Sequence, residues 1–179
     1  MKRISKKIQD KARKIKLIGM DVDGVLTGGE IIILKSGEEL KLWNARDRIA
    51  IRLVQRAGGI KLAWITGRDS LEVRRRAREL AIDALYTKVL KKGEALENIQ
   101  KRFSLKPEEI AYMGDDLVDL PVLRKVGLSA CPQDAPDEVK EEADYVAEHQ
   151  GGKGALREFI EVILKSQKKW NEAIKHYYE

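Results

Sequence analysis

Apolar positions follow two alternating rhythms along this chain. Short continuous runs, rich in β-branched residues, recur at Ile15–Met20, Ile60–Ile65, Ala84–Tyr86, Ile110–Met113, Leu128–Cys131 and Tyr145–Val146. Runs of that length, apolar on both faces, read as buried strands. Between them the spacing lengthens to three and four residues, which predicts amphipathic helices. These cover Asp47 to Ala57, a stretch capped by Asp69 or Ser70 and ending near Leu80, a stretch reaching about Phe103, and a helix leading into Leu128. After Gly154, residues Leu156, Phe159, Ile160, Ile163 and Leu164 predict a long C-terminal helix within 151–179. Gly58-Gly59 gives the first of these helices a natural stop. Ile4, Ile8 and Ala12 predict a short basic helix at Met1–Lys14, docked on the body, on a partner or, less in keeping with its small apolar face, on a membrane surface.

One segment breaks the alternation. Glu30–Leu34 and Glu38–Trp43 flank Lys35-Ser36-Gly37 and predict a β-hairpin inserted within 30–43. The remainder predicts one domain over residues 1–179, a three-layer α/β/α Rossmann-like parallel sheet with no separate cap domain. No linker, repeat or low-complexity tract divides it.

Composition narrows the class. With 43% hydrophobic and 36% charged residues among 179, the chain reads as a globular, highly charged protein. The single cysteine, Cys131, excludes an intrachain disulfide and reads as a small buried residue. No apolar run approaches membrane-spanning length and no signal-peptide core follows the basic N-terminus, so a cytoplasmic location is expected. A net charge of +6 favours anionic ligands without implying nucleic acid.

Candidate chemistry collects where strands end. Asp21 and Asp23, at i and i+2, fall on one side just past the first strand's carboxyl end, the edge of an open α/β sheet at which ligands bind. Paired carboxylates call for a shared proton or a cation. Thr66, Lys92 and Asp115-Asp116 follow later strands at the same edge. Each alone has a plainer explanation: an Asp-Gly turn, a Thr-Gly turn, a surface lysine, a helix cap. Together they form an oxygen-rich site suited to Mg²⁺ and a phosphate, with an aspartate as nucleophile, an acid/base beside it and a lysine to neutralise charge.

Asp21-Val22-Asp23-Gly24-Val25-Leu26-Thr27, Thr66-Gly67-Arg68, Lys92 and Gly114-Asp115-Asp116 resemble the four motifs of the haloacid dehalogenase superfamily of aspartate-nucleophile phosphatases. From Ile15 onward, Glu38–Lys41, Asn44–Asp47, Gly114–Asp119, Lys125–Ser129 and Gly151–Glu158 are similar to the 3-deoxy-D-manno-octulosonate 8-phosphate (KDO 8-phosphate) phosphatases, enzymes of lipopolysaccharide biosynthesis. That resemblance implies Asp21 as nucleophile and Mg²⁺ ligand, and Asp23 as acid/base, lending its carbonyl to the metal. It implies Asp115 as the third ligand, with Thr66 and Lys92 on the phosphoryl oxygens. It also implies substrate contacts at Asp23, Asn44, Ala45, Arg46, Asp47, Arg48, Arg52, Arg68, Arg76 and Lys92, and a homotetramer with active sites shared between subunits. Gly28, Arg48 and Lys88 stand where the family commonly has Asp, Gly and Gly. These departures leave another acidic sugar phosphate, such as a nonulosonate 9-phosphate, as an alternative substrate.

Other classes fit less well. A response-regulator receiver orders its acids, Thr and Lys differently. A nucleic-acid module would interleave aromatics among Arg74-Arg75-Arg76 and Arg78, which instead predict a solvated face paired with Glu72 and Glu79. Gly151-Gly152-Lys153-Gly154 lacks the P-loop pattern, and reads as a flexible joint or part of a shared site.

Overall fold

A computed structural model describes residues 4–178. Strands β1 (Leu17–Met20), β4 (Lys61–Ile65), β5 (Ala84–Tyr86), β6 (Ile110–Met113), β7 (Leu128–Cys131) and β8 (Tyr145–Val146) form one parallel sheet in the order β5-β4-β1-β6-β7-β8. The expected α/β/α architecture is present. β1, buried along its whole length, lies between β4 and β6. Strand alternation sorts its side chains to two cores. Ile18 and Met20 join Leu62, Trp64 and Met113 beneath α1 (Lys6–Ala12), α2 (Ala45–Ala57), α3 (Leu71–Glu79) and α7 (Ala155–Ser166). Leu17 joins Ala63, Ile65 and Tyr112 beneath α4 (Lys92–Phe103), α5 (Leu120–Leu123) and α6 (Asp137–Glu142).

Several boundaries differ from the sequence pattern, each for a local reason. α2 begins two residues before Asp47 because Asn44 caps it, its Oδ1 accepting from Arg46 N at 2.8 Å. The hairpin pairs only Ile32–Ile33 (β2) with Glu39–Leu40 (β3), antiparallel, and most of its apolar side chains face solvent. The C-terminal segment is two helices, α7 and α8 (Trp170–Lys175), rather than one. The break comes at Lys168, whose φ of 58° is left-handed. Beside it Gln167 Nε2 donates to the carbonyls of Ala12 and Ile15. α1 docks on the body through Ile4, Ile8 and Ala12, which uses up its apolar face; Met1–Arg3 of that expected helix lie outside the described residues. Cys131 is buried, and burial pushes its thiol up to about 11, so it is an inert packing residue.

Candidate active site

The chain turns sharply after β1. Asp21 N donates to Met113 O at 3.0 Å, which anchors the first residue past the strand to β6. Leu26 and Thr27 N both return to Val22 O, closing the loop over the sheet edge. Gly24 sits at φ 98°, and a Cβ there would lie 1.9 Å from Asp115 Oδ2. Only glycine lets the second acidic loop come this close. Behind it, Gly151 passes against the same turn: its Cβ would fall 1.7 Å from Gly24 O, while Gly152 N donates to Val25 O at 2.9 Å. The glycine run is therefore a close-packed support for the catalytic loop. Gly151→Ala is expected to displace that loop, lowering turnover at least tenfold and the melting temperature by several degrees, by calorimetry.

Lys92, the first residue of α4, is buried between two carboxylates, 2.7 Å from Asp21 Oδ1 and 2.7 Å from Asp119 Oδ1. Asp119 is wholly buried and further accepts from Tyr112 Oη at 2.6 Å and from the amides of Asp115 and Asp116. It thus fixes both the lysine and the Asp115 loop. In the sequence Asp119 stands out only as the last residue of the family-like stretch Gly114–Asp119. The spacing Asp116-x-x-Asp119, a side chain folding back onto its own loop amides, was the available signal.

Thr66 directly follows β4, the strand paired with β1, and is buried. Its Oγ1 accepts from Arg68 N at 3.1 Å, leaving the hydroxyl proton free to donate. Asp23, half-buried, meets the hairpin: Lys41 Nζ contacts its Oδ1 and lies 2.6 Å from Glu39 Oε1, and Glu39 Oε2 is 3.2 Å from Arg68. Glu39 and Lys41 stand in the sequence only within the family-like stretch Glu38–Lys41, with no role of their own.

The other expected substrate-binding positions have different partners within one chain. Asn44 Nδ2 donates to Gly152 O at 3.0 Å. The buried Asp47 accepts from Gly154 N and Arg157 N at 3.1 and 2.8 Å, and so ties α2 to α7. Ala45 is the first residue of α2, and Arg46 lines a separate cavity with His149, Arg157 and Glu158. Arg48, Arg52 and Arg76 gather on Glu79: two meet its carboxylate, at 3.6 and 2.7 Å, and Arg52 donates to its carbonyl. Arg76 also lies over the Trp43 ring, itself stacked on Trp64. Among these arginines, Arg68 alone connects to the Asp23 network. Of the four arginines on α3, Arg74 pairs with Asp69 at 2.6 Å and Arg76 with Glu79, so the expected charge pairing holds for two of them, and neither partner is Glu72. Lys88 has φ 57°, a conformation natural to the glycine common at that position.

A family of haloacid dehalogenase-like hydrolases matches residues 81–160. The chain is 41% identical over 170 residues to the KDO 8-phosphate phosphatase KdsC of Escherichia coli K12, covering 95% of this chain and 90% of that one. The corresponding enzyme of Haemophilus influenzae is 40% identical over 162 residues, covering 90% and 89%. The chain belongs to the KDO 8-phosphate phosphatase family. A crystal structure of the Moraxella catarrhalis family member, in complex with magnesium, phosphate and KDO, matches with a TM-score of 0.93 at 36% identity, covering 97% of this chain and 99% of that one.

The acidic cluster fits the family's Mg²⁺. Carboxylate oxygens of Asp21, Asp115 and Asp119 lie within 4.8 Å of one another, and Asp115 Oδ1 is buried without a hydrogen-bond partner. An all-oxygen set suits a hard cation. Asp119 is already committed to Lys92, Tyr112 and backbone amides, which leaves Asp21 and Asp115 as the carboxylates able to hold the ion.

Electrostatics agree. Burial pushes Asp21 up to about 6, against the pull of Lys92. Burial, with Asp21 and Asp119 nearby, pushes Asp115 up to about 8. Burial alone would lower Lys92, but the two facing carboxylates outweigh it and hold the ammonium above its usual range. A carboxyl raised in the folded state stabilises most below its unfolded pKa, and that contribution fades as pH rises through the folded value. The metal-free protein should therefore lose stability between about pH 4 and 8. Mg²⁺ needs both groups ionised, so its binding releases protons and tightens with pH. Thermal shifts with and without Mg²⁺ should show a larger stabilisation at pH 8.5 than at pH 5.5; an equal shift would contradict this electrostatic picture.

Proposed function

We propose that this protein is a Mg²⁺-dependent phosphomonoesterase that hydrolyses KDO 8-phosphate to KDO and phosphate through an aspartyl-phosphate on Asp21, a step of lipopolysaccharide biosynthesis. The observation that carries this reading is the placement of Asp21 at the end of the central strand, between Lys92 and the unpartnered Asp115 oxygen.

In the first half-reaction the Asp21 carboxylate attacks phosphorus while the ester bond breaks. Asp23 protonates the leaving oxygen. In the second half-reaction Asp23 takes a proton from the water that attacks phosphorus, releasing phosphate and regenerating Asp21. Lys92 and the Thr66 hydroxyl hold the phosphoryl oxygens, countering charge that develops on them. Asp21, Asp115 and the Asp23 carbonyl would hold Mg²⁺, which would supply Lewis-acid stabilisation of the phosphoryl group.

The substrate assignment rests on the relatives named above and on the surplus of guanidinium groups at Arg46, Arg48, Arg52, Arg68 and Arg76, whose forked donors suit a carboxylate. Asn44, Ala45 and Asp47 belong to this proposed region as its scaffold. Phosphate release should be about a hundredfold more efficient, in kcat/KM, from KDO 8-phosphate than from neutral sugar phosphates such as glucose 6-phosphate. Equal efficiencies would remove the substrate assignment and leave the reaction class.

The working form is proposed to be a cytoplasmic homotetramer. Ile33 and Leu42 of the hairpin are 65% and 64% exposed in the single chain, and Ile31, Leu34 and Leu40 are exposed beside them. A two-stranded hairpin with that much bare apolar surface is poorly stable alone. Hairpins from several copies can cover one another, bringing arginines of one subunit toward a neighbour's site. Among the described residues no helix is long and apolar enough to cross a membrane. Light scattering should find a tetramer; a fully active monomer would exclude the shared-site arrangement.

A further inference from the structure

Two lysines are buried among the described residues. Lys92 lies in the acidic cluster already described. Lys41 lies on the hairpin, immediately after β3, and its side chain has no solvent exposure at all. An ammonium is costly to bury unless well paired, and a hairpin this exposed could have turned the lysine into water. Instead Lys41 Nζ meets Asp23 Oδ1 and Glu39 Oε1. Glu39 continues to Arg68, whose backbone amide holds Thr66 Oγ1. A line of alternating charge thus runs from the acid/base, through the base of the hairpin, to the loop proposed to bind the phosphoryl group.

We infer that Lys41 is a positioning residue for Asp23, acting from the hairpin to fix which carboxylate oxygen does the proton transfer. This rests on the phosphatase reading above. Lys41 occupies Oδ1. Oδ2 is buried and has no hydrogen-bond partner. That leaves Oδ2 as the oxygen free to exchange a proton with the bound ester. Its proton passes to the ester oxygen as the phosphorus–oxygen ester bond breaks and the Asp21–phosphorus bond forms. Oδ2 later accepts a proton from water as the new phosphorus–oxygen bond forms and the Asp21–phosphorus bond breaks. Without Lys41 the Asp23 side chain loses its only side-chain partner among the described residues, so its free oxygen is no longer held in one direction. Hairpin placement is thereby coupled to proton transfer, though the hairpin contributes no group to the reacting atoms.

The test compares leaving groups. The alkoxide leaving from a sugar phosphate needs a proton; the phenolate leaving from p-nitrophenyl phosphate does not. Lys41→Met should lower kcat on KDO 8-phosphate about a hundredfold, within the range that proton transfer contributes, and lower it on p-nitrophenyl phosphate at least tenfold less. KM for KDO 8-phosphate should change little. Equal losses on both esters, or no loss, would overturn the role of Lys41. Removing one member of a buried pair can unfold a protein, so Asp23→Asn/Lys41→Met, which removes both charges, is the second variant. Its turnover of KDO 8-phosphate should lie within about twofold of Asp23→Asn alone. A further tenfold loss would show that Lys41 acts by another route. Wild-type protein inactive on both esters would instead sink the phosphatase reading itself, before any variant is compared.

Discussion

Asp21→Asn is expected to lower turnover of KDO 8-phosphate at least about a thousandfold while leaving the fold intact. The amide is nearly the shape of the carboxylate, and β1 is clamped between β4 and β6 along its length, so no cavity opens. What is lost is the proposed nucleophile. Among the groups gathered here, Asp115 is the proposed metal ligand, Asp119 is saturated with donors, and Asp23 is the proposed acid/base, held by Lys41. None can replace it. The variant should keep the wild-type circular dichroism spectrum. Retention of more than a few per cent of wild-type kcat would mean that Asp21 is not the nucleophile.

Lys92→Met should show the second large effect, on both activity and stability. The ammonium is 3% exposed and lies between Asp21 and Asp119, 2.7 Å from each. Breaking a buried ion pair from one side leaves uncompensated charge and costs about 3–5 kcal/mol. The cost depends on pH with a definite sign. Asp21 loses the cation that favours its ionised form, so it takes up a proton more readily and the penalty shrinks in acid. Urea unfolding of metal-free protein should place the variant far below wild type at pH 8 and much closer to it at pH 5. Turnover should fall about 10²–10³-fold, because the proposed donor to the phosphoryl oxygens goes with the charge. A variant as stable as wild type at pH 8 would show that the two acids are not jointly neutralised by Lys92.

The parts of this site that could be read from the sequence are those set by short-range pattern. A parallel strand that is buried on both faces ends in a recognisable way, and Asp21, Asp23, Thr66 and Asp115 each stand within three residues of such an end. Lys92 was legible because it opens a helix just past a short strand. Residues whose role depends on distant parts of the chain were not legible. Asp119 matters because the turn after β6 folds it under Lys92 from another segment. Lys41 matters because the hairpin leans back on the catalytic loop, and nothing in the alternation of Glu38–Trp43 specifies that lean. Asp47 read as a helix start and a substrate contact; it is buried against the amides of Gly154 and Arg157, a partnership across more than a hundred residues. The C-terminal helix read as continuous because neither Gly nor Pro marks the break at Lys168.

The hairpin separates two kinds of information that one strand can carry. In the proposed tetramer its outward apolar residues would meet neighbours, whereas Glu39 and Lys41 turn toward Asp23 of their own subunit. β3 alternates accordingly: Leu40 points to solvent between two charged residues that turn inward. A substitution at Leu40 should therefore disturb assembly first, and one at Lys41 should disturb proton transfer first.

The most direct test of the central claim is phosphate release from KDO 8-phosphate by the wild-type protein, measured with Mg²⁺, after exhaustive chelation, and after Mg²⁺ is restored. Rapid turnover, its loss on chelation and its recovery with Mg²⁺ are the results expected from the Asp21–Asp115 site. No phosphate release with Mg²⁺ present, or turnover that survives chelation unchanged, would contradict it.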